Sequence, residues 1–144
     1  MCYSTPMRFQ ERDGEIISAI YRYGGVLARR HLKGMFWPDA TLRAAQKRLA
    51  KLVDNRYLAR PTMNQRRTQP IPEPLYWLDW RGILWVAGQF NLSIPRPKNE
   101  GENQMRKLAK RLRKQGIRWL REPRWIQLAH DLAIIDFRMT VEWA

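Results

Sequence analysis

At 144 residues the chain suits one ordinary domain, or a small domain with an appendage. Hydrophobic residues at 44% and aromatics at 11% suffice for a packed core and exclude wholesale disorder. The 27 Lys and Arg against 13 Asp and Glu leave a formal charge of +14, which points to a polyanionic partner ahead of a membrane surface or an acidic protein.

Cys2 is the only cysteine, which excludes an intrachain disulfide and a cysteine-rich zinc site and suits a reducing compartment. The opening MCYSTPMRFQERDGE has no apolar stretch of the signal-peptide kind. No run approaches the roughly 18 apolar residues that a bilayer span needs. The expectation is a soluble, cytoplasmic chain with no membrane partner.

In chain order, a first helix is expected from about Phe9 to Arg22, burying Ile16, Ile17, Ile20 and Tyr21 and ending at Gly24-Gly25. A second is expected from about Leu27 to Met35, packing Leu27, His31 or Leu32, and Met35, with Phe36-Trp37-Pro38 as the turn after it. Asp39 is the expected N-cap of a third helix, and the run Thr41 to Arg60, TLRAAQKRLAKLVDNRYLAR, carries the strongest signal of all. Leu42, Ala45, Leu49 and Leu52 recur at three- and four-residue steps, one buried stripe, while Arg43, Gln46, Lys47 and Lys51 fall on or beside the opposite face. The second and third helices, tightly joined, read as a helix-turn-helix.

Leu58 to Met63 and Pro74 to Leu78 read as two strands of a hairpin, with the polar, proline-broken Asn64 to Glu73 as the wing loop. Leu78-Asp79 opens a further helix through about Phe90. Asn91 to Asn103, NLSIPRPKNEGEN, has the composition of a linker. Gln104 to Gln115 is expected as a basic amphipathic helix, with Met105, Leu108, Ala109 and Leu112 inward and Arg106, Lys107, Lys110, Arg111, Arg113 and Lys114 outward. Ile117 to Leu120 is expected as a short strand. Trp125 to Trp143 is expected as a last helix, with Trp125, Leu128, Leu132, Ile135, Met139 and Trp143 on one face. Ile126, Ala129, Ala133, Phe137 and Val141 extend its apolar surface, so this helix expects partners on two sides.

The fold class is therefore mainly α with a small β-hairpin: a winged helix-turn-helix with a C-terminal helical extension. The expected division is 1–90 for the winged domain, 91–103 for the linker, and 104–144 for the basic helix and a dimerising C-terminal helix.

The segments RDGEIISAIYRYGGVLARRHL, TLRAAQKRLAKLVDNRYLAR, LYWLDWRGILWVAG and LAHDLAIIDFRM resemble the replication-relaxation family of plasmid and mobile-element proteins. The resemblance implies an N-terminal winged helix and a part in plasmid replication and DNA relaxation. Such sequences often place glycine where Arg56 stands, and Asn55 is expected to take the left-handed position in its stead. Some relatives continue into a longer C-terminal region. This chain stops in mid-pattern at Val141-Glu142-Trp143-Ala144, as a short natural version or a fragment would.

The N-terminal half of the third helix is expected in the major groove, with Thr41, Arg43, Ala44, Lys47 and Lys51 best placed. Arg43 suits a two-donor bond to a guanine edge, and Lys47 and Lys51 suit phosphates. In the wing, Asn64, Gln65, Arg66 and Arg67 are candidates for the minor groove or its phosphates. Arg29 and Arg30 are expected as backbone contacts, and Arg106, Lys110 and Arg113 belong to a second electrostatic surface. Tyr57, Tyr76, Trp77 and Trp85 are expected in the core and not under bases, and His31 is expected to be structural.

His130, Asp131 and Asp136 invite a metal or catalytic reading, but neighbours on a helix diverge by about 100° and cannot meet on one ion. No glycine-rich phosphate loop occurs, so no cofactor is expected. The function expected is sequence-specific binding of double-stranded DNA, in mobile-element replication control or transcription regulation, by a homodimer and without enzymatic activity. Two alternatives stand beside it: the DNA-binding portion of a nuclease or relaxase with its catalytic part downstream, and a protein-interaction module of a replication complex.

Overall fold

The computed structural model describes residues 7–143, with side chains to Glu142; Cys2, Ala144 and the side chain of Trp143 lie outside the described residues. Helix α1, Glu11–Arg22, buries Ile16, Ile17, Ala19 and Ile20. It is stopped by Gly24 and Gly25 at φ +96° and +106°, values that strain any residue with a Cβ. Strand β1, Val26–Ala28, follows, and helix α2 covers Arg29–Phe36. This corrects the expected start of the second helix: Leu27 is in a strand. Three apolar residues show no period, and their pairing partner stands far along the chain.

Helix α3, Leu42–Asp54, buries Ala45, Leu49 and Leu52. Leu42, expected in the same stripe, is the first helical residue and is 44% exposed. The cap is Thr41 and not Asp39: its hydroxyl accepts the Ala44 N–H at 3.2 Å. The helix ends at Asn55, which keeps φ −94°, and Arg56 takes the left-handed position at φ +64°. That reverses the expected assignment of these two residues.

Strand β2 is Leu58–Ala59 alone, shorter than the expected run to Met63 because Pro61 has no N–H for the ladder. The wing is not a plain loop. Thr62 caps a short helix α4, Met63–Thr68, in a reciprocal box: its hydroxyl accepts from the Gln65 N–H at 3.1 Å, and the Gln65 side-chain Oε1 accepts from the Thr62 N–H at 2.9 Å. Strand β3, Leu75–Leu78, pairs antiparallel with both others in the order β1-β3-β2, with Leu27 opposite Tyr76 and Leu58 opposite Leu78. The fold is a winged helix.

Asp79 caps α5, Trp80–Gln89, accepting from the Trp80 N–H at 2.7 Å, and burial holds its carboxyl above the usual carboxylate range. The 91–103 segment has no regular structure before Glu102, yet it touches the body of the protein: Leu92 and Ile94 pack on the core, and Glu100 accepts from the Trp80 indole at 2.8 Å and the Arg56 guanidinium at 3.1 Å. Helix α6, Glu102–Lys114, buries Met105, Leu108 and Leu112, and Ala109 is half-buried. Ile117 to Leu120 is not a strand. It is an extended segment whose anchors are buried Ile117 and the Trp119 indole, which donates to the Leu78 carbonyl at 2.9 Å. After one 3-10 turn, Trp125–Gln127, helix α7 runs Leu128–Trp143. Leu128, Leu132, Ile135 and Met139 are buried in the same apolar cluster as Ile16, Leu49 and Trp77.

Candidate nucleic-acid interface

Two ion-pair clusters set the helices that carry the basic surface. Asp13 of α1 is fully buried and takes the Arg48 guanidinium of α3, with Nε at 2.9 Å from one carboxylate oxygen and a second nitrogen on the other. A buried carboxylate requires that partner, so α3 is locked in rotation against α1. At the start of α2, His31 accepts the Ala28 N–H on Nδ1 at 3.0 Å, which leaves Nε2 to donate to Asp136 of α7 at 2.6 Å. Arg30 joins the same carboxylate at 2.7 and 2.9 Å and reaches Glu73 of the wing at 2.8 Å. The Arg30 guanidinium, followed by His31, holds the Asp136 carboxyl down at about 2. Arg30, expected as a backbone contact, is thus shared between two carboxylates and joins α2, the wing and α7.

With α3 so oriented, its outward side faces the base of the wing. Arg29, Arg43, Gln46, Lys47, Ala50, Arg60 and Tyr76 line a groove of about 530 Å³ there. A second groove of about 440 Å³ shares Arg29, Arg60 and Tyr76 and continues under the wing past Arg66 to Pro72. Among the described residues, Arg29, Arg43, Lys47 and Arg60 have no carboxylate partner. Four unneutralised cations around one concave surface set up a field for a polyanion.

Arg43, Ala44 and Lys47 are exposed on α3, and Lys51 is half-buried one turn further along. Thr41 is exposed, with its hydroxyl serving the helix cap. In the wing, Asn64, Arg66 and Arg67 are exposed on α4; Arg67 donates to the Met63 sulfur at 3.5 Å. Gln65 is engaged on both sides, by the cap and by a bond to Glu122 at 3.3 Å. Arg106, Lys110 and Arg113 are exposed on α6, Arg106 lying 4.0 Å from Glu102.

Two members of the surface were not singled out from the sequence. Arg60 follows the short β2, and its place beside α3 depends on the β2-β3 pairing. Leu42 is an exposed apolar residue at the tip of α3, and its fit to the buried period concealed it.

The aromatic residues are where a packed domain needs them. Tyr76 and Trp77 are buried; Arg81 lies over the Tyr57 ring at 4.4 Å and donates to its hydroxyl at 2.8 Å. His130 is exposed, Asp131 accepts from Arg124 at 2.7 Å, and Asp136 belongs to the Arg30 cluster, so the three do not converge. Among the described residues no three His, Cys, Asp or Glu stand together as a metal site. No described helix is long and apolar enough to cross a membrane.

No protein-family model matches the chain, and no curated protein matches it. Among solved structures, the chain is similar to a mutant MarR from E. coli in a crystal structure with operator DNA. The identity is 16% and the TM-score 0.43, over 94% of this chain and 76% of that one.

Proposed function

We propose that this protein binds double-stranded DNA as a winged helix, with α3 in the major groove and the wing on the flanking backbone. The observation that carries the reading is the set of four cations without carboxylate partners, Arg29, Arg43, Lys47 and Arg60, grouped where α3 meets the wing. Arg43 is the base-reading side chain, and Leu42 beside it suits the methyl group of a thymine. Lys47, Lys51, Arg29 and Arg60 take phosphates, Asn64, Arg66 and Arg67 extend the contact to the next groove, and Arg106, Lys110 and Arg113 add a second strip of charge.

The setting is replication control or transcription regulation of a plasmid or other mobile element, following the resemblance to the replication-relaxation family. The working unit is a homodimer built on α7. Its inner stripe is buried, while Phe137 and Val141 on its outer side are 69% and 60% exposed, and Ile126 in the turn before it is 98% exposed. The same outer face of a second copy covers it and sets two recognition helices on a palindromic site about one helical turn apart.

A salt titration of duplex affinity tests the reading. Lys47→Ala with Arg60→Ala should weaken binding to a random-sequence duplex about tenfold or more near 0.1 M salt, and lower the slope of log K against log salt by about 1–2. Arg43→Ala should relax preference for a selected site by about 1–3 kcal/mol at one base pair. Unchanged affinity and slope in the double variant overturn the proposal. The exposed face of α7 favours one other reading, an interaction module of a replication complex; weak, salt-insensitive duplex binding selects that one.

A further inference from the structure

Apart from the groove at the wing, a cavity of about 540 Å³ opens where the end of α1 and the Gly24-Gly25 turn meet α7 and the segment before it. Four arginines line it: Arg22 of α1, Arg118 and Arg124 of the connecting segment, and Arg138 of α7. Two carboxylates stand near them. Asp131 accepts from Arg124 at 2.7 and 3.2 Å, and Glu142 lies 3.8 Å from Arg138 and accepts from the Tyr23 hydroxyl. Arg22 and Arg118 have no carboxylate partner among the described residues. Arg22 and Arg138 stack on the Tyr23 ring at 5.0 and 4.7 Å, which positions both guanidiniums beside the cavity.

Four guanidiniums against two carboxylates leave a local excess of two positive charges. The site is partly walled by Leu120, Ile134 and Ile135, apolar surface on which a small organic molecule packs and which a phosphate backbone leaves uncovered. Its volume is in the range of small-ligand sites. Guanidiniums offer the paired donors that phosphate oxygens accept.

We infer that this cavity binds a small organic phosphomonoester, its phosphate dianion on Arg22 and Arg118 and its apolar part against Leu120 and Ile134. The inference is independent of the DNA reading.

Thermal unfolding with adenosine 5′-monophosphate, inorganic phosphate and adenosine tests it, on the wild type and on the Arg22→Ala, Arg118→Ala double variant. Both arginines are exposed, so the variant keeps its core. At tenfold its Kd the monophosphate should raise the midpoint of the wild type by about 3–6 °C, inorganic phosphate should raise it less, and adenosine should leave it unchanged. The shift should vanish in the double variant and persist in Arg106→Ala with Lys110→Ala, which removes equal charge from α6. No shift with either phosphate, an equal shift in the double variant, or an equal loss in the α6 variant overturns the inference. Inorganic phosphate matching the monophosphate overturns its organic half. Duplex affinity should be unchanged in the double variant; a loss as large as that of the Lys47, Arg60 variant would make these arginines DNA contacts and overturn it as well.

Discussion

Asp136 ties α7 to the winged domain, and its titration gives that tie a signature. Its folded value is about 2 against an ordinary 3.8, so the stabilisation is fully present above about pH 4 and is lost as pH falls toward 2. The carboxylate is 43% exposed, so screening limits its pairs to about 1 kcal/mol. Asp136→Asn should therefore lower unfolding stability by about that amount at pH 7, measured by urea denaturation. The gap between variant and wild type should narrow as pH falls from about 4 through 2 and close below that, and a gap as wide at pH 2 as at pH 7 contradicts the assignment.

Arg56 is the second instructive residue. Its φ of +64° favours glycine, and its side chain makes one half-exposed ion pair with Glu100. Arg56→Ala loses the pair and keeps the strain, whereas Arg56→Gly loses the pair and relieves the strain. The glycine variant should be the more stable of the two by about 1 kcal/mol in the same assay. The sequence left Asn55 as the expected left-handed residue, because side-chain preference favours asparagine over arginine. In the structure Asn55 is buried and its amide donates to the Lys51 carbonyl at 2.8 Å, which holds it at the helix end.

Among elements, α5 separates packing from propensity. Gly82 and Gly88 are both helical, and replacing glycine by alanine in a helix ordinarily adds about 1 kcal/mol. A Cβ on Gly82 meets the backbone carbonyl of Tyr57, which cannot swing aside because it accepts the Asp79 N–H at 3.1 Å. A Cβ on Gly88 meets nothing within 4 Å. Gly82→Ala should cost about 2–3 kcal/mol, and Gly88→Ala should add about 0.5–1 kcal/mol, read from denaturation midpoints. Two substitutions of the same type should thus have opposite signs.

The helices with an apolar stripe, α1, α3, α5, α6 and α7, were legible because each shows a helical period over ten or more residues. The shortest extended pieces carry no such period. β1 is three residues long, β2 is two, and the Ile117–Leu120 segment follows its neighbours without a ladder, so each depends on contacts distant in sequence. Helix α4 is different: Thr62 and Gln65 form a legible capping box, outweighed by the prolines around the wing.

At the scale of the whole molecule, the proposed dimer gives the clearest outcome. Phe137→Glu puts charge into the centre of the exposed face of α7 without touching its buried stripe. Sedimentation should show a dimer for the wild type at micromolar concentration and a monomer for the variant, with its helical content intact. A monomeric wild type removes the dimer and leaves the DNA reading of a single winged helix standing.

The sequence by itself determined the long helices, the basic face of α3 and the excess of positive charge, since periodicity and composition are local properties of the chain. Only the tertiary structure decided which cations are available. Arg30 and Arg48 look no different in the sequence from Arg29 and Arg43, yet the first two pair with Asp136, Glu73 and Asp13, and the other two face the groove. Whether an arginine is neutralised depends on which carboxylate the fold brings within about 3 Å of it. That distance follows from packing between elements far apart in the chain.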